Sequence, residues 1–428
     1  MLRVFGDFIK NKEIRNKILF TLFILFIFRL GAAIPAPGIN SIQLELYSNS
    51  VLNMMSMLGG GALEQMSIFA LGVGPYITAE IIIELLAMDI IPPLAEMAKS
   101  GQKGRQQMDR ISRYVGVVLA FVQAFFIVRY MDQTNSTAAF PLVENPGNLT
   151  YAYIALIMTA GTMFVLWLGD QITTKGVGNG IGVIIFSGIV ADLPNNIQTV
   201  YATFITAESQ NWIMFIVYIL MYIFILVAVI FISTSERRIP IQASTSQRLN
   251  KSKGDLNYLP FKINSAGVIP VIFAGAVIQG PLIISSWINN NAYNFLQKLF
   301  DFKNPIFLAF YGLLVILFTF FYTNLTVDPA KAADNLAENG NFVPGVRIGQ
   351  ETRKYLSLVL NRITVLGALL LMVIALLPYI ISATTPLPQS AAIGGTGIII
   401  VVGTALEVMK NLKSMTVTRS YKNFVGKE

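Results

Sequence analysis

Ten stretches of mostly apolar residues recur along this chain, near residues 18–34, 68–88, 111–128, 151–168, 180–193, 212–232, 267–287, 305–325, 363–381 and 393–409. Most approach the ~20 residues that a helix needs to cross a hydrocarbon core. With 54% hydrophobic and 13% charged residues and a mean hydropathy of +0.62, the composition is that of an integral membrane protein. Inside lipid each backbone amide must be bonded within the protein, so long apolar stretches of this kind predict an all-α bundle of ten membrane helices. The stretch that begins at Gly180 is minimal and is expected to extend beyond these limits or to sit inside the bundle.

The basic residues alternate in step with the spans. Of 31 lysines and arginines, all but Arg29, Arg129, Lys298 and Lys303 fall in the N-terminal segment, residues 87–114, the loop at Lys175, residues 233–265, residues 326–362 and the tail from Lys410. Cytoplasmic loops collect positive charge. The pattern therefore predicts a multi-pass protein with both termini cytoplasmic. The N-terminal segment imitates a secretory signal, but nine further spans follow, so an uncleaved first helix is expected. Leu2, Phe5, Phe8 and Ile9 suggest a short interfacial helix before it.

The residue inventory narrows the chemistry. The chain has no cysteine and no histidine, which removes thiolate chemistry and the commonest acid-base and metal ligand. The polar loops are too small for an independent enzyme domain. No catalytic residue, metal site or cofactor is expected, and any nucleotide hydrolysis belongs to a partner. Gly176-Val177-Gly178-Asn179-Gly180 superficially suggests a phosphate-binding loop, but it lacks the lysine and hydroxyl residue of that motif. A tight turn between closely packed helices is the better reading.

One span is unlike the rest. Ile68 to Met88 contains Gly72, Gly74, Pro75, Thr78, Glu80 and Glu84 and follows Gly59, Gly60 and Gly61. Glycine and proline open the backbone ladder, and the freed amides need protein partners or an aqueous cavity. Such a segment is expected to line something rather than to face lipid.

Ordered motifs carry a family resemblance. Phe28-Arg29-Leu30-Gly31 with Ile34-Pro35-Ala36-Pro37-Gly38, Gly59-Gly60-Gly61-Ala62, and Ser67-Ile68-Phe69-Ala70-Leu71-Gly72 with Pro75-Tyr76-Ile77-Thr78 begin the series. Trp167-Leu168-Gly169-Asp170-Gln171-Ile172 leads to the glycine turn at residues 176–180. Ala266-Gly267-Val268-Ile269-Pro270, Ala333-Asp334-Asn335-Leu336 with Phe342-Val343-Pro344-Gly345-Val346-Arg347, and Ile393-Gly394-Gly395-Thr396 complete it. Together these resemble SecY, the channel subunit of the Sec protein translocase.

The resemblance implies two pseudo-symmetric halves of five helices, residues 1–210 and 211–428, around an hourglass pore in the bacterial cytoplasmic membrane. It implies a pore ring of Val73, Ile77, Ile181, Ile185, Ile272 and Ile400. It implies a plug over residues 52–62, comprising Asn53, Met54, Met55, Ser56, Met57, Leu58, Gly59, Gly60 and Gly61. A lateral gate would carry Thr78, Gln123 and Asn264 at its seam as a polar latch. Partner-binding residues would be Arg237, Arg238, Arg248, Lys251, Lys253 and Arg347, in the docking loops 233–265 and 326–362. The implied partners are a SecE-like subunit, a SecG-like subunit, the SecA motor ATPase, the ribosome, signal peptides and nascent chains; anionic lipids are expected for the basic loops.

The residues themselves support parts of this reading. A ring of branched aliphatics offers water and ions no hydrogen bonds, so a narrow neck can dewet. The three glycines permit a hinge, and the methionines supply an adaptable apolar surface. Glu80 and Glu84, four residues apart, keep an alternative open, a secondary transporter in which they bind a proton or cation. On the channel reading both carboxylates are expected to face a wet cytoplasmic funnel. A purely structural assembly subunit is the third class.

Overall fold

The computed structural model describes residues 11–40, 59, 61–63, 65–88, 90–135, 142–143, 145–206, 209–210, 212–243, 258–288, 299–300, 304–384 and 395–425. In chain order these form helices α1 (Lys12–Ala32), α2 (Gly74–Leu86), α3 (Pro92–Lys99), α4 (Gln102–Asn135), α5 (Asn148–Lys175) and α6 (Gly180–Phe204). After strands β1 (Ile205–Thr206) and β2 (Ser209–Gln210) come α7 (Trp212–Thr234), β3 (Glu236–Pro240), β4 (Gln242–Ala243), β5 (Tyr258–Lys262) and α8 (Ile269–Ile288). The chain continues through α9 (Pro305–Thr326), α10 (Pro329–Glu338), β6 (Asn341–Phe342), α11 (Gln350–Thr384) and α12 (Gly395–Val425). Each expected apolar stretch overlaps one of these helices. Helices α4, α5, α6, α7, α9 and α11 are long and apolar enough to cross a membrane. The minimal stretch at Gly180 extends, as α6, to Phe204.

The second stretch departs from a continuous span. Residues 68–73 are a run of turns, and α2 begins only at Gly74, with Pro75 in its first turn. The preset φ of Pro75 and its missing N–H suit a helix start. Before it, Gly61, Met66 and Gly72 all have positive φ, so the chain cannot propagate a helix there. The exposed amides are bonded by protein: Ile68 N donates to Ile34 O at 3.1 Å, and Ala36 N donates to Met66 O at 3.0 Å. The turn after α1 thus serves as the hydrogen-bond partner that lipid cannot supply.

Three apolar clusters organise the bundle. One is built from α4, α5 and the turns at 36–39 and 63–71; a second from α7, α8, α9, α11 and α12, joined by Ile81 of α2. The third draws on α1, α2, α5 and α6 and takes Ile272 of α8 and Ile400 of α12. Close packing in this third cluster depends on glycine. A Cβ on Gly180 would overlap the backbone of Gly169, and one on Gly161 would overlap the carbonyl of Ile68. The 176–180 segment is therefore the tight α5–α6 turn, with Asn179 capping Ile181 N at 3.1 Å.

The two large basic loops fold onto each other. Antiparallel β3 and β5 pair Arg237 with Phe261, and β4 pairs with β6 from the other loop, Gln242 opposite Phe342. Ile239, Phe261, Ala333, Leu336, Val343, Leu356 and Leu360 close a small core beneath them.

Candidate functional site: an aliphatic neck and its seam

The six predicted ring residues all belong to the cluster that joins α1, α2, α5 and α6 to α8 and α12. Val73 caps the start of α2, and Ile77 stands one turn later. Ile181 and Ile185 occupy the first two turns of α6, Ile272 the first turn of α8, and Ile400 the body of α12. Val73, Ile185 and Ile400 are buried, while Ile77, Ile181 and Ile272 are half-buried. Residues far apart in sequence thus meet as branched aliphatics, with the broken second segment contributing two of them. Such a junction can exclude water and still part without breaking directional bonds.

Next to this junction, Arg29 of α1 reaches α6. Its guanidinium donates to the carbonyls of Gly188 at 2.9 Å and Ser187 at 3.3 Å, and lies 3.8 Å from the Asp192 carboxylate. Asp192 also marks the root of the expected plug. Gly61 has φ +78°, and a Cβ there would stand 2.8 Å from both carboxylate oxygens. Of the plug residues only Gly59 and Gly61 are described; Asn53, Met54, Met55, Ser56, Met57, Leu58 and Gly60 lie outside the described residues.

Two of the expected gate residues bond within their own segments. Thr78 Oγ1 donates to Gly74 O on its own helix at 3.1 Å, and Asn264 Nδ2 donates to Gly267 O at 3.0 Å. Gln123 is buried, and among the described residues no hydrogen bond links Thr78, Gln123 and Asn264 to one another. Among the described residues Asn264 Oδ1 is buried without a hydrogen-bond partner. A threonine within a helix readily bonds back to the carbonyl four residues earlier, which accounts for Thr78. Among the described residues, a polar bond from α2 to the later helices runs from Tyr322 Oη of α9 to Glu84 Oε2, at 2.5 Å.

Glu84 is thus half-buried and bonded to Tyr322. Tyr322 lies 238 positions from Glu84, so nothing local in the sequence pairs them. The available signal was a phenol within an otherwise apolar span.

On the basic loops, Arg237, Arg238 and Arg347 are exposed. Arg238 donates to Glu236 at 2.9 Å and lies over the Tyr258 ring, 4.7 Å from its centroid. The Glu236 hydrogen bond pushes the Arg238 pKa up. Arg347 sits in a turn flanked by Gly345 and Gly349, both at positive φ, and its carbonyl accepts from Thr352 Oγ1 at 2.8 Å. Arg248, Lys251 and Lys253 lie outside the described residues.

The sequence profile of the SecY family matches residues 67–409, which include all six ring positions. The chain belongs to the SecY family. A translocase subunit SecY of Bacillus licheniformis is 44% identical over 99% of this chain and all of its own length. The solved structure of a protein-conducting channel matches with a TM-score of 0.68 at 18% identity, covering 96% of this chain and 94% of its own. Canine Sec61, in a ribosome–channel complex of the endoplasmic reticulum, matches with a TM-score of 0.63 over the same shares. This is a family of membrane channels, and the transporter alternative is not supported. Glu84, one of the two residues it needed, is engaged by Tyr322.

Proposed function

We propose that this SecY-family channel passes unfolded secretory polypeptides across the bacterial cytoplasmic membrane and releases hydrophobic segments into lipid through a gate between α2 and α8. The observation that carries the reading is the convergence of Val73, Ile77, Ile181, Ile185, Ile272 and Ile400 in one apolar junction. In this reading the junction is the neck of the pore. Residues 1–210 and 211–428 are the two halves that part around it, and residues 52–62 plug it from outside.

Sorting follows from partition free energy. At roughly −0.3 to −0.6 kcal/mol per leucine-like residue, a segment of ~20 such residues gains several kcal/mol on leaving the open gate for lipid. A hydrophilic segment gains nothing there and continues outward. The energy comes from a partner, the SecA motor or the ribosome. The paired basic loops with Arg237, Arg238 and Arg347 suit either, and canine Sec61 in its ribosome complex supports the second. A basic surface engages ribosomal phosphates or an acidic groove equally well. SecE-like and SecG-like subunits would steady the two halves, anionic lipids would hold the loops, and both termini would lie in the cytoplasm.

The test reconstitutes the chain with a SecE partner in liposomes and supplies SecA, ATP and an unfolded secretory substrate. ATP-dependent protease protection is expected, together with increased ion leak after deletion of Asn53 to Gly61. Absence of protection with either the motor or ribosomes would overturn the proposal.

A further inference from the structure

Helix α6 carries Pro194 in its interior. Proline has no N–H to give the carbonyl four residues earlier, here that of Val190, and its ring crowds that turn, so a helix bends most readily there. The hydroxyls beyond it act in the same direction. Thr199 Oγ1 donates to Asn195 O at 2.9 Å and Thr203 Oγ1 to Thr199 O at 2.8 Å, and such back-bonds bend a helix. Packing lapses at the same place: Val183, Ile184, Ile185, Gly188 and Ile189 are buried, none of residues 190–199 is, and burial resumes at Val200 and Phe204.

The two sides of the proline are held by different parts of the molecule. Before it, Arg29 of α1 grips the carbonyls of Ser187 and Gly188, and Gly180 lies against Gly169 of α5. Where this part meets Thr404 of α12 it does so through Gly182, which offers no side chain to interlock. Leu193, next to the proline, packs on the cluster of α7, α8, α9, α11 and α12. Beyond it, Val200 and Phe204 pack with Phe215, Tyr218 and Ile219 of α7. Tyr201 meets Trp212 and Phe215 edge-on, with ring centroids 6.3 and 5.8 Å apart, and the β1–β2 ladder ties Ile205 to Gln210. The connection between α6 and α7 is thus a packed joint, and the soft point lies upstream of it.

We infer that the channel opens by bending α6 at Pro194, so that residues 180–192 move with the first half while residues 195–204 move with α7. The boundary between the moving bodies then falls inside α6 rather than at residue 210. This inference rests on the reading above that two halves part around the neck.

The test uses the reconstituted complex with its motor and ATP, either at rest or holding an arrested secretory chain. The chain has no cysteine of its own, so spin labels attach only at introduced ones: Leu156→Cys on α5, Ile197→Cys beyond the proline and Ile216→Cys on α7, all at exposed positions. Arrest is expected to shift the Leu156–Ile216 and Leu156–Ile197 distances by about 5 Å, the reach of a ~20° bend over the ~15 Å of helix beyond Pro194, and to leave Ile197–Ile216 unchanged. Pro194→Ala, which restores the amide, is expected to slow export about tenfold; Pro194→Gly, which keeps the helix soft, is expected to stay near the parent rate. If Pro194→Ala does not assemble, the distances carry the test alone. A shift in Ile197–Ile216 overturns the inference, because the bend then lies in the connection, and so does export by Pro194→Ala at the parent rate. If Leu156–Ile216 itself does not move, the two-halves reading fails and the hinge with it.

Discussion

Helix α7 and the segment from Gly61 to Leu86 are both strongly apolar, yet they behave in opposite ways. In α7, Ile213, Val217, Leu220, Phe224, Val227 and Phe231 form an exposed stripe, while Tyr218, Ile225, Val229 and Ile232 face inward. No glycine or proline interrupts it. The 61–86 segment is broken by positive-φ turns at Gly61, Met66 and Gly72 and carries three glutamates, Glu64, Glu80 and Glu84, but Leu63, Met66, Val73 and Ala79 are at most 1% exposed. Uninterrupted apolarity marks a helix that can face lipid. Apolarity broken by glycine, proline and glutamate marks a segment that protein surrounds, because only protein can satisfy its open backbone and its polar groups.

Substitutions that exchange the characters of the two regions test the contrast. The largest effects are expected where the broken segment is packed and where lipid excludes charge. Gly161→Leu on α5 would drive a side chain into the carbonyl of Ile68. It should lower stability by about 3 kcal/mol, as overpacking of a tight core does, read as reduced resistance to thermal unfolding in detergent. Leu220→Asp, in the exposed stripe of α7, should cost about 3 kcal/mol in membrane insertion, read as the inserted fraction. Helix α2 tolerates Glu84 because Tyr322 receives it.

A middle effect is expected at the junction. Ile185→Asn places an amide among Val73, Ile77 and Ile400 and should raise the resting ion conductance of reconstituted channels, whereas Ile185→Val should leave them tight. The smallest effect belongs to Leu220→Ala. It should change stability in detergent by no more than about 0.5 kcal/mol, and a loss comparable to that of Gly161→Leu would erase the distinction between the regions.

The sequence exposed these features unevenly. Helix α7 is plain because hydropathy over one continuous window is a local signal. The special nature of residues 68–88 was also plain, from Gly72, Pro75 and the two glutamates, but hydropathy alone placed the helix six residues too early. Ile68 to Val73 are apolar enough for a span, and only their bonds to the turn after α1 show that they are not helical. The ring positions came from family motifs. Isoleucine is too abundant here for any one of them to stand out, and their meeting depends on contacts between helices distant in sequence. The pairing of β4 with β6 was hidden for the same reason, since Gln242 and Phe342 carry no local sign of each other. The polar contacts of α2 were not legible either: Thr78 bonds back to its own helix, and the Glu84–Tyr322 bond pairs residues 238 positions apart.

The most direct measurement places a photo-crosslinking amino acid at Ile77, at Ile185, and at Leu220 of α7, then arrests a secretory chain midway through the reconstituted channel. The account predicts ATP-dependent crosslinks from Ile77 and Ile185 to the hydrophilic part of the arrested chain, with lipid adducts alone from Leu220. Crosslinks from Leu220 to the hydrophilic chain, with none from Ile77 or Ile185, would contradict it.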